Sequence, residues 1–252
     1  MASLNILWLV LACLVSYFLG SIPFSVWIGK LVGSVDLRKH NIKNPGGMNA
    51  VMTYGRAIGL TIMLLDFAKG AVLIGLIDHL FSLANFVAPD GSNIWYTLAV
   101  ILGPMFGILG HNYPVWLKFK GGQGLGVFMG AIWYLNPLLF TFYAVGVIFI
   151  VAVVKMNVRY GTMVVILLDI VLSLFMPIFP PWVNIHLNEF LWSPSFMNVK
   201  LMFIFLGMFI MLFLRAAQAI AQKKKSATWT VGPDGEQIFD EDKKKEKEGI
   251  SG

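Results

Sequence analysis

The chain has 252 residues, 58% of them hydrophobic and 13% charged, where a soluble domain runs at about 45–50% apolar and about 25% charged. This composition excludes a single soluble core and argues against a nucleic-acid binder, and the 20 Phe and 8 Trp exclude a disordered chain. The net charge of +6 lies wholly in residues 1–222, with 12 Lys/Arg against 6 Asp/Glu, whereas residues 223–252 carry 7 Lys and 7 acidic residues. The chain reads as a polytopic membrane protein, in which positive charge sets orientation or meets an anion. The lone Cys13 excludes an internal disulfide and a cysteine-cluster metal site.

The first apolar run covers residues 4–28. No basic residue precedes it, so it predicts a spanning helix rather than a cleaved leader. Residues 57–77 form a second run, interrupted by Asp66 and Lys69. Residues 94–110 form a third, closing on His111-Asn112-Tyr113-Pro114. Residues 125–154 are apolar but broken by Asn136-Pro137, residues 160–179 follow, and residues 199–220 are the last run. Two stretches read as interfacial: 80–87, and 181–198 with Trp182 and Trp192 as anchors.

Whether 125–154 is one helix or two decides the topology. A turn at Asn136-Pro137 gives seven spans. With the N-terminus outside, 17 of the 19 Lys/Arg then fall on the cytoplasmic side, as the positive-inside rule favours. One long helix would turn residues 155–159, Arg215 and Lys223-Lys224-Lys225 outward. The expectation is therefore an all-α membrane bundle of about seven helices over 1–222, with a solvated, mobile cytoplasmic tail over 223–252. The fourth segment, 125–135, would be about 17 Å long, a half-helix sheltered by its neighbours. The lysine cluster is either a stop-transfer flank or a contact to anionic headgroups.

Charges inside a span pair with each other or line a polar cavity. Asp66 and Lys69 share a helix face at a spacing of three, and read either as a site wall or as a packing pair; Asp169 is open in the same way. Two loops on the predicted inner side carry the anion chemistry. Residues 36–49 include Arg38, Lys39, Lys43, Asn44, Gly46 and Asn49. Lys118-Phe119-Lys120-Gly121-Gly122-Gln123-Gly124 runs into the short fourth segment. Glycines entering a helix N-terminus can present N–H donors to a phosphate, although a plain turn is the competing reading. His111 and Asn112 close the third span on the same side, as a proton carrier with its neighbour or as an ordinary helix cap. His40, His79 and His186 are scattered, so no metal site is expected, and no cofactor motif is present.

Together these pieces resemble the bacterial acyl-phosphate:glycerol-3-phosphate acyltransferase (PlsY) family. The resemblance rests on Gly20-Ser21-Ile22-Pro23-Phe24, Asp36-Leu37-Arg38-Lys39, Asn44-Pro45-Gly46 with Asn49, Leu65-Asp66 with Lys69-Gly70, Gly110-His111 with Pro114, and Phe119-Lys120-Gly121-Gly122 with Gly124. It covers residues 16–130 in motifs and the rest in span count. Where the family's first motif carries serine, threonine and a closing arginine, this chain has Ile42, Met48 and Met52. Gln123 stands where the family has lysine, and Arg215-Ala216-Ala217-Gln218-Ala219 lacks the family's His and Asn.

The resemblance implies seven spans and transfer of a fatty acyl group from acyl phosphate to the 1-hydroxyl of glycerol 3-phosphate, in a monomer among membrane lipids at the cell membrane. A mixed anhydride is already activated, so binding two phosphates, aiming the hydroxyl and neutralising the leaving group suffice. On this reading Lys120 with the N–H groups of Gly121, Gly122 and Gly124 holds one phosphate. Arg38, Lys43, Asn44 and Asn49, with Gly46, hold the other or orient the glycerol. His111, beside Asn112, assists at the hydroxyl or the leaving phosphate, while Ser21, Asp66 and Lys69 shape the wall. Two alternatives stand beside it. The replacements at Ile42, Met52, Gln123 and Ala216 favour a relative acting on another lipid or phosphorylated metabolite. Asp66, Lys69 and Asp169 favour a small transporter, although no inverted repeat is visible.

Overall fold

A computed structural model describes residues 2–32, 35–41, 44–83, 94–175, 199–227, 229–231 and 237–239. The described residues form nine α-helices, one 3-10 turn and one short strand pair. Helix α1 (Ala2–Ser21) is followed at once by α2 (Phe24–Leu31). The first run is therefore not one helix: Pro23 lacks an N–H, disfavours helical backbone at Ile22, and serves as the cap of α2. Helix α3 (Gly47–Tyr54) stops at Gly55, whose φ of 86° few other residues adopt. Helix α4 (Arg56–Leu83) continues beyond the expected end of the second span, so residues 80–83 are its last turn rather than a separate interfacial piece; residues 84–87 lie outside the described set.

Helix α5 (Ile94–Asn112) leads through the turn Val115–Leu117 to α6 (Leu125–Leu135) and α7 (Pro137–Ala152). The expected break at Asn136-Pro137 is present. Asn136 Oδ1 accepts hydrogen bonds from the N–H groups of Leu138 and Leu139, both at 3.0 Å, and proline fills the first helical position. Helix α8 (Val158–Leu172) and α9 (Val199–Ala227) complete the set. Of the segment read as a mobile tail, residues 223–227 prolong α9, and β1 (Trp229–Val231) pairs antiparallel with β2 (Gln237–Phe239). The strands belong to a second unit, residues 213–252. Residues 181–198, with Trp182 and Trp192, lie outside the described set.

Close contacts give the relative directions of the helices. A Cβ at Gly20 would meet the Gly107 backbone, and one at Gly110 would meet Tyr17 and Ser21, so α1 and α5 run parallel. Gly107 abuts Leu73 and Gly103 abuts Ile77, so α4 opposes them. Gly126 faces Asp66, and Gly130 faces Phe67 and Ala71, setting α6 parallel to α4. Phe67 contacts both Trp133 and Phe140, and Phe128 contacts Tyr143, so α7 folds back along α6. Gly146 against Val165 and Gly161 against Ile150 reverse α8 on α7. In α9, Gly207 lies against Met105 and Leu212 against Gly124, so α9 opposes α6. Direction therefore alternates through α1, α4, α5, α6, α7, α8 and α9.

Four described segments are long and apolar enough to cross a membrane: Leu4–Leu31, Arg56–His79, Ile94–Leu117 and Leu201–Ala221. Leu125–Leu135, Pro137–Ala152 and Tyr160–Leu172 are shorter apolar helices. The 11-residue α6 survives because it is enclosed: Val127, Phe128, Gly130, Ala131, Ile132 and Leu135 are buried. Its end is tied at a distance from its start, where Tyr134 and Tyr96 donate to the two oxygens of buried Asp78, at 3.4 and 3.0 Å. This ties α4, α5 and α6 together.

Candidate active site

The break after α1 leaves the Ile22 carbonyl without a helical partner. Lys69 Nζ, on α4, donates to it at 3.1 Å and lies 2.8 Å from Asp66 Oδ1. The Lys69 ammonium also stands 5.6 Å from the Phe24 ring centroid. The two charged side chains are only 4% and 7% exposed, so each depends on the other. Removing one member leaves an uncompensated buried charge, which costs about 3–5 kcal/mol. Lys69→Met is therefore expected to lower the unfolding midpoint sharply in micelles, and an unchanged midpoint would contradict the pairing.

His111 closes α5 with Nδ1 3.7 Å from the same Asp66 oxygen. The following loop folds back onto the helix end: Gly121 N–H donates to Asn112 O and Gly122 N–H to His111 O, both at 3.1 Å. This corrects the expectation that these two N–H groups cradle a phosphate; they cap the last carbonyls of α5 instead. Their lack of side chains serves close approach, since a Cβ on Gly122 would collide with the His111 imidazole at Nε2. Of the three glycines assigned to the phosphate, only Gly124 opens a helix. Its φ is 81°, and α6 starts there with no side-chain cap.

A small concavity lies at this junction. Ser21, Asp66, Lys69, His111, Gly121 and Gly122 line it, together with Ser25, Phe24 and Pro45. Ser21 Oγ donates to Gly110 O at 3.3 Å. Ser25, which sequence reasoning missed, donates to Pro45 O at 2.6 Å and joins α2 to the basic loop. Its only sequence signal is a hydroxyl in an apolar run directly after Pro23.

The other described residues assigned from sequence are not among those lining the concavity. Arg38 is bound to Asp36, with Nε at 3.0 Å from Oδ1 and Nη2 at 2.8 Å from Oδ2. Part of the Arg38 guanidinium is thus engaged within its own loop. The Arg38 hydrogen bond holds the Asp36 carboxyl below the usual carboxylate range, and Asp36 holds Arg38 up. A depressed folded-state value means that the pair stabilises above the ordinary carboxylate range and that this is lost as pH falls. With both side chains about a third exposed, Asp36→Asn is expected to cost under about 1 kcal/mol at neutral pH and nothing in strong acid, measured by thermal unfolding at both.

Asn49 is fully buried, its Nδ2 within 3.0 Å of the carbonyls of Leu37, His40 and Asn44. These bonds shape the basic loop, and Asn49 Oδ1 has no hydrogen-bond partner among the described residues. Asn112 is likewise buried, its Nδ2 3.4 Å from Met211 O, while its Oδ1 has no hydrogen-bond partner among the described residues. Asn44 supplies one of those carbonyls, Gly46 caps α3 in extended backbone, and Lys43 lies outside the described set. Lys120 is exposed after two consecutive left-handed residues, Lys118 (φ 52°) and Phe119 (φ 60°). Asp169 is buried in α8, and its Oδ2 has no hydrogen-bond partner among the described residues. No cluster of three or more metal-ligating side chains occurs among the described residues.

The family model described as glycerol-3-phosphate acyltransferase matches residues 10–225. The chain belongs to the glycerol-3-phosphate acyltransferase family. A glycerol-3-phosphate acyltransferase of Acholeplasma laidlawii is 30% identical over 193 residues, 76% of each chain. One from Acaryochloris marina is 38% identical over 128 residues, 48% of this chain and 57% of that protein. Crystal structures of PlsY, an integral membrane glycerol 3-phosphate acyltransferase, share the fold. The glycerol 3-phosphate form has a TM-score of 0.62 at 23% identity, covering 86% of this chain and 92% of that one. The lysophosphatidic acid form gives 0.60 at 22% identity, with the same coverage. For this member of the acyltransferase family, the membrane setting follows from the apolar helices and the shared fold together.

Proposed function

We propose that this chain transfers a fatty acyl group from acyl phosphate to the 1-hydroxyl of glycerol 3-phosphate, releasing inorganic phosphate and 1-acylglycerol 3-phosphate. The observation that carries this reading is the convergence of a buried Lys69–Asp66–His111 cluster, the uncapped start of α6 and the lysine-bearing loop before it at one end of the bundle, in a chain of this family. No covalent nucleophile is needed, because phosphate is already a good leaving group. Binding two anions and aligning the hydroxyl carry the rate.

Lys120 and the first turn of α6 at Gly124 bind one phosphate. His111 assists at the hydroxyl or the departing phosphate, and Ser21 lines the approach. Arg38 and Lys43 supply positive field from the basic loop. The apolar grooves between helices hold the acyl chain. The protein acts as a monomer in the cell membrane with its N-terminus outside, which places both glycine-bearing loops at the cytoplasmic leaflet.

Purified protein in nanodiscs, given acyl phosphate and glycerol 3-phosphate, is expected to release phosphate only when both are present. Release that does not depend on glycerol 3-phosphate would redirect the reading to another acceptor, and flux of glycerol 3-phosphate into empty liposomes would favour transport. Lys120→Ala removes a charge-assisted hydrogen bond of about 1.5–3 kcal/mol. It is expected to raise the KM for glycerol 3-phosphate about tenfold or more, and an unchanged KM would remove Lys120 from this role.

A further inference from the structure

Both ends of the basic loop are held on one face of the short helix α2. Ser25 and Gly29, one turn apart, are buried on that face, while Trp27 and Leu31 on the other are exposed. Ser25 Oγ donates to Pro45 O at 2.6 Å, at the C-terminal end of the loop. Gly29 admits the Tyr54 ring, since a Cβ there would collide with Tyr54 Oη. That hydroxyl donates to Val35 O at 2.7 Å, where the loop begins. Between the two, Asn49 Nδ2 gathers the carbonyls of Leu37, His40 and Asn44. The first turn of α2 also meets the buried charge pair, with the Phe24 ring centroid 5.6 Å from Lys69 Nζ. Phe24, Ser25 and Pro45 line the concavity together with Asp66 and Lys69. Residues 36–46 carry the three cations Arg38, Lys39 and Lys43 against Asp36 alone, so the loop stays net positive with Arg38 bound to Asp36.

We infer that Ser25 is a positioning residue for the acyl donor: through Pro45 it holds the basic loop where the loop's cations meet the phosphate of acyl phosphate. This rests on the acyltransferase reading above, in which Lys120 and the start of α6 take the phosphate of glycerol 3-phosphate. The remaining phosphate is the donor's, and Pro45 is where the basic loop reaches the concavity. Acyl phosphate is an amphiphile, and α2 matches it on both sides. Exposed Trp27 and Leu31 offer apolar surface of the kind that sits at a bilayer interface, while the opposite face carries the basic loop. Glycerol 3-phosphate, polar throughout, gains nothing from such a face. Ser25 acts through the Pro45 carbonyl, to which its hydroxyl proton is committed.

The test is steady-state acyl transfer by the full chain in nanodiscs, each substrate varied with the other saturating. Ser25→Ala is expected to raise KM for acyl phosphate about fivefold or more, the scale of one lost hydrogen bond, with kcat and KM for glycerol 3-phosphate within about twofold. Tyr54→Phe keeps the ring against Gly29 and removes only the hydroxyl at the other end of the loop. It is expected to shift the same KM in the same direction, by less, because its hydrogen bond is exposed. Should Ser25→Ala fail to fold, Tyr54→Phe carries the test. A Ser25 hydroxyl that only braces the fold would lower the unfolding midpoint and leave KM for acyl phosphate unchanged. That outcome would overturn the inference, as would an equal rise in both KM values or a loss confined to kcat. Absence of acyl transfer in the unmodified protein would instead defeat the acyltransferase reading itself, so the two failures are distinguishable.

Discussion

Gly122→Ala is expected to reduce kcat/KM for acyl transfer by at least 100-fold while leaving the protein folded. The new methyl group would collide with His111 Nε2, with Cδ2 and Cε1 also within 3.2 Å. The imidazole cannot swing aside cheaply. It is 9% exposed, sits beside Asp66 at its other nitrogen, and its own carbonyl accepts the Gly122 N–H. Either the ring turns away from Asp66 or the loop lifts from the end of α5, and both disturb the start of α6. A displacement of about 1 Å at a reacting group is enough for a loss of about 100-fold. The assay is acyl transfer at saturating and limiting glycerol 3-phosphate, with the unfolding midpoint measured alongside. Activity within threefold of the unmodified protein would show that His111 and this loop are not part of the machinery.

The second large effect is on stability. In Gly130→Ala the added carbon would collide with the Phe67 carbonyl, and in Gly70→Ala it would collide with the Val127 carbonyl. These are backbone atoms on the two facing helices, so no side-chain rotation relieves the contact. Helix α6 has only 11 residues and lacks the length to hold its place in the bilayer alone. Its position comes from this close approach to α4 and from burial against the core around Phe128 and Phe205. Overpacking in a filled interior costs about 1–3 kcal/mol and more when the backbone must move. We therefore expect about 3 kcal/mol or more for Gly130→Ala, seen as a large drop in the unfolding midpoint in micelles. A drop of less than about 0.5 kcal/mol would mean that α4 and α6 are not in such contact.

The alternation of helix directions was legible from charge placement because the relevant signals are local and additive. Asn136-Pro137 also carries its own mechanism, a side-chain cap followed by a proline at the first helical position. The length of α4 was not legible. The apolar run ends before Asp78, and only the fold brings Tyr96 and Tyr134 from two other helices to its carboxylate. The site divides in the same way. Asp66 and Lys69 at a spacing of three announced a pair, but Ile22 O and His111 as their further partners depend on where α1 and α5 end. Arg38 was read for its charge alone, although its partner stands two residues earlier at Asp36. The glycine loop was read as a phosphate cradle because sequence shows that N–H groups are close together, not where they point. In the fold, two of them point back at the carbonyls of α5.

The most direct measurement of the central claim is a structure of the protein in a bilayer mimetic with glycerol 3-phosphate bound. The account predicts phosphate density within hydrogen-bonding reach of Lys120 and the first turn of α6 at Gly124, with the glycerol directed at His111 Nε2. Density confined to another part of the bundle, such as the buried Asp169 on α8, with nothing beside Lys120 or His111, would contradict it.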